Sequence, residues 1–274
     1  MRTTPTQHRL VDLTRNLLRR ELRSRYKRSA LGWGWSLLNP LASVAIYTMV
    51  FSVILKTGTP VGDPSGLESF PLFLLCGLVP WNLFASSLQA APETFVGNAS
   101  IIKKVAFPRE ALVFASVGSI VVTSAVELSV LAAILLIAGN MVLPWLPLVV
   151  VLLAVEAVFV VGVSLMVSVC NVYLRDVKHF VTIFIQLAFY ATPIIYPFTL
   201  VPVHQDISGF DVPLRALYRC NPMTLFVEAF KDALYELRFP PAGVLLGLVA
   251  WAAASLYVGL RVFSRFEPRL AEEL

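Results

Sequence analysis

Two absences narrow the function of this chain before any motif is considered. Its three cysteines lie too far apart for the paired spacing that a metal or redox site requires. Its three histidines are equally scattered, so the sequence predicts no metal site. These residues are Cys76, Cys170, Cys220, His8, His179 and His204.

The sequence also lacks the short motifs that bind nucleotides or perform hydrolysis. It contains no phosphate-binding loop, no zinc-protease motif, no nucleophile elbow and no dinucleotide fingerprint. It has no clustered aspartate pair to hold the metal of a membrane glycosyl- or phosphotransferase. We therefore predict that the chain is not an enzyme and binds no cofactor of its own. Any energy source for uphill movement would belong to another chain.

Charged residues are scarce, and apolar residues are abundant. Only 14% of the residues are charged and 57% are hydrophobic, against about 25% and 50% in soluble domains. The formal net charge is +5, but the basic residues flank apolar runs and do not alternate with aromatic ones. The composition predicts an integral membrane protein and argues against nucleic-acid binding.

Six apolar runs are long enough to be membrane spans, at about residues 37–55, 70–91, 111–138, 142–169, 180–197 and 242–263. The predicted fold is an all-α integral membrane protein, with one transmembrane domain over residues 1–274. Seventeen of the 22 basic residues fall on the side of the two termini, which predicts that both termini are cytoplasmic. Glu127 and Glu156 interrupt the third and fourth spans and are predicted to form an interhelical hydrogen bond or a water-facing wall.

Residues 7–24 are predicted to form an amphipathic helix in the membrane interface, with leucines on one face and arginines on the other. Glu21 falls on the apolar face, and a pair with Arg25 would explain it. Two interpretations stay open: a simple membrane anchor for the helix, and a gating or partner-contacting role for Glu21.

Residues 98–110 form a basic interruption between the second and third spans. Lys103, Lys104 and Arg109 stand beside Ile101, Ile102 and Phe107, three apolar residues that we expect to be exposed. A small apolar patch surrounded by charge is typical of a docking surface. A loop that only fixes the membrane topology is the alternative.

A second amphipathic helix is predicted within residues 213–238. Asn221 and Pro222 suit its first turn, and apolar residues such as Phe226 and Phe230 repeat at helical spacing. The helix is either interfacial or re-entrant. Immediately after it, Gly243 and Gly247 form a small-xxx-small pattern that predicts close helix packing in the last span.

Six segments in this order resemble the membrane subunit of bacterial ABC exporters for lipid-linked polysaccharides, which include O-antigens, teichoic acids, capsules and cell-wall galactans. They are YKRSALGWGWSLLNP at 26–40, GLVPW at 77–81, IIKKVAFPRE at 101–110, NVYLRD at 171–176, TPIIYP at 192–197 and NPM at 221–223.

The resemblance implies a homodimer in the bacterial plasma membrane, with a polymer channel along the dimer interface. It implies two copies of a cytoplasmic ATPase that bind ATP and magnesium. The loop between the second and third spans would dock into that ATPase, with the next cytoplasmic loop nearby. The residues concerned are Ile101, Ile102, Lys103, Lys104, Phe107, Pro108, Arg109, Glu110, Arg175 and Asp176.

The resemblance also assigns candidate roles along the substrate path. The gate at the outer mouth would comprise Pro193, Pro197, Asn221, Pro222, Phe226 and Phe230. An aromatic lining that stacks on sugar rings would comprise Phe189, Tyr190, Tyr196 and Trp81, with ordinary packing as the alternative. Independently of the resemblance, a lipid diphosphate head group needs cations, and we hypothesise that they are supplied at the cytoplasmic interface by Arg19, Arg20, Arg23 and Arg25.

Two other functions compete with this interpretation. An ABC exporter of drugs or small molecules would differ only in its substrate. A membrane scaffold without transport would leave polymer export unchanged when the chain is depleted.

Overall fold

The backbone is mainly helical. The computed structural model describes residues 13–22, 34–54, 60–104, 107–207 and 210–274. Within these ranges the strands longer than one residue are β1 (Gln205–Ile207) and β2 (Phe210–Val212), which pair antiparallel. The predicted all-α class is confirmed.

Four helices in the described part of the chain are long and apolar enough to cross a membrane. They are α3 (Phe70–Val96), α5 (Glu110–Ile137), α6 (Leu146–Tyr173) and α10 (Ala242–Phe266). α5 and α6 have 28 residues each, about 42 Å at 1.5 Å per residue, against roughly 30 Å of hydrocarbon. They coincide with the second, third, fourth and sixth predicted spans.

Shorter helices stand at the first and fifth predicted spans. α2 (Gly34–Tyr47) continues as a π-helical stretch, Thr48–Ile54, and α7 (Val177–Tyr190) has only 14 residues. The prediction of a fifth span over residues 180–197 is therefore too long at its second end. The helix stops because Pro193 has no N–H group with which to continue it.

The remaining helices are short. α1 covers residues 13–22, inside the amphipathic helix predicted over residues 7–24; the rest of that prediction lies outside the described residues. The others are α4 (Ala99–Lys104), α8 (Leu214–Cys220), α9 (Pro222–Lys231), which continues as a π-helical stretch Asp232–Glu236, and α11 (Leu270–Glu273).

α3 forms the centre of the bundle. Every residue from Phe70 to Trp81 is buried, and α5, α6, α7 and α9 pack against it. Pro80 and Pro92 lie inside this helix without ending it. Close to Pro92, the Ser168 hydroxyl of α6 donates to the carbonyl of Ala91 over 2.8 Å, which attaches α6 to this turn.

The closest helix contact is between α6 and α10, at Gly162 and Gly259. A Cβ on Gly162 would lie 2.3 Å from the carbonyl carbon of Ser255, so even alanine would collide with the backbone. The predicted close packing at Gly243 is wrong, because nothing in the described part of the chain lies within 4 Å of a Cβ placed there. Gly247 meets only a side chain, that of Leu225.

The bundle has two ends, which we call upper and lower. The upper end holds residues 60–69 and the turn at 138–142; there the Asn140 side chain donates to the carbonyl of Leu234 over 2.9 Å. The lower end holds α4, the turn at 174–176 and α11. There Lys178 of α7 forms a 2.6 Å ion pair with Glu93 of α3.

The two glutamates in the long helices differ in burial. Glu156 is fully buried, and neither of its carboxylate oxygens has a hydrogen-bond partner among the described residues. The interhelical hydrogen bond that was one prediction for Glu156 is therefore not formed. Glu127 in α5 is half-buried.

Candidate functional site

The basic interruption at the lower end forms α4 and the approach to α5. Lys103 and Lys104, in the last turn of α4, are both exposed. Ile102 points into the bundle and is 4% exposed, while Ile101 is half-buried. This helical turn therefore presents its charges outward and its apolar side inward.

The chain after α4 also packs against the bundle. Residues 107–110 are all half-buried, and the Phe107 side chain contacts the hydrophobic core. The Arg109 guanidinium donates a hydrogen bond to the carbonyl of Glu267, beyond α10. The prediction of three exposed apolar side chains is thus wrong: Ile102 is buried, and Ile101 and Phe107 are half-buried, because these side chains fasten the loop to the bundle.

The second predicted contact loop lies at the same end. Arg175 and Asp176 are exposed in the turn between α6 and α7. The ion pair between Lys178 and Glu93 joins the start of α7 to the end of α3, from which α4 follows. The structure therefore brings both basic-side loops to one face of the molecule.

A cavity of about 200 Å³ lies between α1, α3 and α5 at this end. Arg20 lines it and donates to the side-chain oxygen of Asn98 over 2.8 Å. Glu21 and Glu93 line it as well. Arg19 is exposed on α1. Arg23 and Arg25, the other two predicted head-group ligands, lie outside the described residues.

At the upper half of the bundle, α9 is buried in the protein. Eight of its ten residues are buried, and Phe226 and Phe230 are fully so. The Asn221 side chain accepts a 3.0 Å hydrogen bond from the N–H of Met223, as the N-cap prediction requires, and Pro222 follows it. The helix is therefore enclosed by the bundle, while the choice between the interfacial and the re-entrant placement stays a prediction. We call residues 222–236 the re-entrant segment.

The C-terminal end of this segment forms hydrogen bonds with residues at the upper end of the bundle. The Tyr235 hydroxyl lies 2.6 Å from the carbonyl of Pro60 and 2.7 Å from that of Leu67, and it accepts from the N–H of Ser69. Asp232 forms a 2.7 Å ion pair with Arg238. Burial raises the pKa of the Asp232 carboxyl above its usual value, although Arg238 opposes that shift.

The predicted aromatic lining divides into buried and exposed members. Trp81 is 4% exposed and packs edge-on against Phe189, with 5.6 Å between ring centroids. Tyr190 is exposed, and the Tyr196 hydroxyl lies 3.0 Å from that of Tyr218. In this conformation Trp81 serves packing, as do Phe226 and Phe230, since all three side chains are enclosed by protein.

Three residues of this region were missed by sequence reasoning. Asn140 and Tyr235 form hydrogen bonds that hold the re-entrant segment, and Lys231 is only 7% exposed. The sequence contains only a weak signal for them, because each of these side chains hydrogen-bonds to the backbone carbonyl of a residue that is distant in the sequence.

The fold is that of a polytopic α-helical membrane protein, with a short helix buried in the upper half of the bundle and two exposed lysines at the opposite end. The chain belongs to the ABC-2 type transporter family, whose model matches residues 12–235.

Individual relatives match almost the whole chain. It is 28% identical over 263 residues to the O-antigen export system permease protein RfbA of Myxococcus xanthus, covering 94% of both chains. It is 29% identical over 270 residues to an O-antigen export system permease protein RfbA of Klebsiella pneumoniae, covering 97% of this chain and 96% of the relative. The polysialic acid transport protein KpsM of Escherichia coli is 37% identical over 70 residues, about a quarter of each chain.

Proposed function

We propose that this chain is the membrane-spanning subunit of an ATP-driven exporter that moves a lipid-linked polysaccharide out of the cytoplasm. The similarity to O-antigen export permeases over more than nine-tenths of the chain carries this proposal. The subunit works as a homodimer in the bacterial plasma membrane, and its channel follows the dimer interface. Because the sequence has no nucleotide-binding motif, two copies of a partner ATPase bind ATP and magnesium.

In this function the lower end faces the cytoplasm, together with both termini, as the distribution of basic residues favours. The exposed charges of Lys103, Lys104, Arg175 and Asp176 form the contact with the ATPase. Phe107 and Arg109 fix the loop to the bundle, so movement of the loop is passed to the helices. The gate lies at the opposite, upper end, where α9 and the broken end of α7 meet.

The cavity beside α1 offers a cationic donor for the charged part of the substrate, next to the carboxylates of Glu21 and Glu93. A diphosphate head group needs cationic hydrogen-bond donors, and Arg20 provides one at the cavity wall, with Arg19 exposed on the same helix. Replacing both arginines by glutamine is expected to weaken export while the protein still assembles with its ATPase. Unchanged export would remove the head-group site from the proposal.

One experiment tests the function as a whole. We expect depletion of this protein to cause a lipid-linked glycan to accumulate on the cytoplasmic face of the membrane, because synthesis continues while export stops. The measurement is extraction of lipid-linked glycans and their analysis by mass spectrometry. Depletion without any accumulated glycan would contradict polysaccharide export and would favour a small-molecule exporter or a scaffold.

A further inference from the structure

The carbonyl groups at the upper end of α7 are hydrogen-bonded although the helix breaks there. Pro193 and Pro197 have no N–H groups, so they donate nothing to the turns before them. The carbonyls of residues 187–190 accept from groups within residues 191–196. The Thr192 carbonyl accepts from the N–H of Ile194, but the carbonyls of Ala191, Pro193 and Ile194 need donors from elsewhere in the protein.

Those donors come from the two ends of α9. The side-chain amide of Asn221 donates to the carbonyl of Ala191 over 3.2 Å. The Lys231 ammonium donates to the carbonyls of Pro193 and Ile194 over 2.7 and 2.9 Å. The re-entrant helix is therefore attached to the broken end of α7 by its first capping residue and its last residue.

Lys231 is an unusual choice for this position. It is 7% exposed, and among the described residues no carboxylate lies within ion-pair distance of it. Its nitrogen lies 3.7 Å from the centroid of the Phe73 ring, a cation–π contact. An apolar side chain of the same length would cost less to bury, so the charge is explained by its two carbonyl contacts.

Gly77 of α3 makes room for this lysine. A Cβ at position 77 would lie 2.8 Å from Cε of Lys231, closer than carbon atoms approach without a shift. The glycine of the GLVPW motif is thereby explained by a contact with α9. The same contact offers a second way to disturb Lys231 without changing it.

α7 has few other attachments. Val181 and Ile185 are its only buried residues, and several large apolar side chains on it are exposed. At its lower end the ion pair between Lys178 and Glu93 is solvent-exposed, and exposed pairs contribute little. At its upper end Phe189 packs against Trp81, and the contacts of Lys231 and Asn221 hold the carbonyls that follow.

We propose that Lys231 is a positioning residue that locks residues 192–197 onto α9, and that the upper end of the bundle opens only when its ammonium leaves the Pro193 and Ile194 carbonyls. The gating role rests on the proposed export function. The lock itself is a property of the folded protein.

Cysteine labelling tests the lock. The parent is the full chain with its partner ATPase in lipid nanodiscs, with the buried Cys76 changed to alanine, the exposed Cys170 and Cys220 changed to serine, and the fully buried Ile194 changed to cysteine. Adding Lys231→Met should raise the rate of reaction of this cysteine with a charged maleimide by about tenfold, since two hydrogen bonds to a charged donor are lost. Lys231→Arg keeps a charged donor and should restore most of the protection.

A second reporter separates release of the lock from general unfolding. Val201→Cys is also buried at the upper end, but its carbonyl is held by Arg215. It should stay protected in Lys231→Met. Equal labelling of the Ile194→Cys reporter with and without Lys231→Met would overturn the proposal, as would a parallel rise at both reporters. If Lys231→Met does not assemble, Gly77→Ala is the second variant. Its added Cβ would lie 2.8 Å from Cε of Lys231, so the lysine side chain must shift, and the Ile194→Cys reporter should again label faster while Val201→Cys stays protected.

Export supplies the gating readout. Cells that carry Lys231→Met should export at least about fivefold less glycan than cells with the parent, and Lys231→Arg should recover export. If Lys231→Met labels faster at the Ile194→Cys reporter but exports glycan at the normal rate, the gating role is overturned. A parent that exports no glycan would instead refute the proposed function, and the labelling result would still stand.

Discussion

Two short helices that do not span the bundle, α4 and α9, use the same residue types in opposite ways. Each carries lysine in its last turn. In α4 both lysines are exposed and one residue of six is buried, whereas in α9 the lysine and seven other residues of ten are buried. The comparison shows that the same pattern, a lysine after an apolar turn, leaves the lysine at the surface in α4 and attaches it to buried carbonyls in α9. Only the surrounding helices decide which.

The largest difference between the two helices should appear on removing an apolar side chain. Phe230→Ala empties a fully buried site in α9 and should lower the free energy of unfolding by about 3 to 5 kcal/mol. The matched change in α4, Ile101→Ala, removes a half-buried side chain and should cost clearly less. Thermal unfolding of the purified protein in detergent measures both. Equal losses at the two positions would mean that the helices do not differ in packing.

A smaller loss is expected from a single hydroxyl at the end of the re-entrant segment. Tyr235→Phe keeps the ring but leaves the carbonyls of Pro60 and Leu67 and the N–H of Ser69 without this partner. The free energy of unfolding should fall by about 1 to 3 kcal/mol, the cost of buried polar groups left unpaired. Tyr257→Phe, on an exposed tyrosine of α10, is the control and should change little. A similar effect of the two changes would show that the Tyr235 contacts add nothing to stability.

The sequence allows the long elements to be predicted because their signals are local. The length of the apolar runs predicts α3, α5, α6 and α10, and the Asn221–Pro222 pair predicts the start of α9. The missed features depend on contacts between distant parts of the chain. Gly243 and Gly247 have the spacing that predicts close packing, yet the close contact is between Gly162 and Gly259. The spacing of glycines within one helix does not show where α10 crosses α6.

The candidate site shows the same limit. The position of the basic loop could be predicted from its charge, and its residues do lie at one end of the bundle with Arg175 and Asp176. The burial of Ile102 could not be predicted, because a six-residue helix is too short for its apolar periodicity to show which side faces the protein. The role of Lys231 could not be predicted either, since its partners at Pro193 and Ile194 lie almost 40 residues earlier.

The smallest effect on stability, and the sharpest test of the comparison, belongs to the lysines of α4. Phe107→Asp would disturb the core contact of that side chain as well as any ATPase contact, so it cannot separate folding from coupling. Lys103→Glu combined with Lys104→Glu alters only exposed side chains and should change the free energy of unfolding by less than about 0.5 kcal/mol.

The same double variant should nevertheless lose the partner ATPase, or its coupling to export, because like charges would then oppose the contact. Co-purification of the ATPase and ATP hydrolysis in the reconstituted complex measure this loss, with Arg261→Glu on the exposed face of α10 as the control. A double variant that folds, binds the ATPase and exports normally would leave α4 as a loop that only sets topology, and the contrast with α9 would then be one of burial alone.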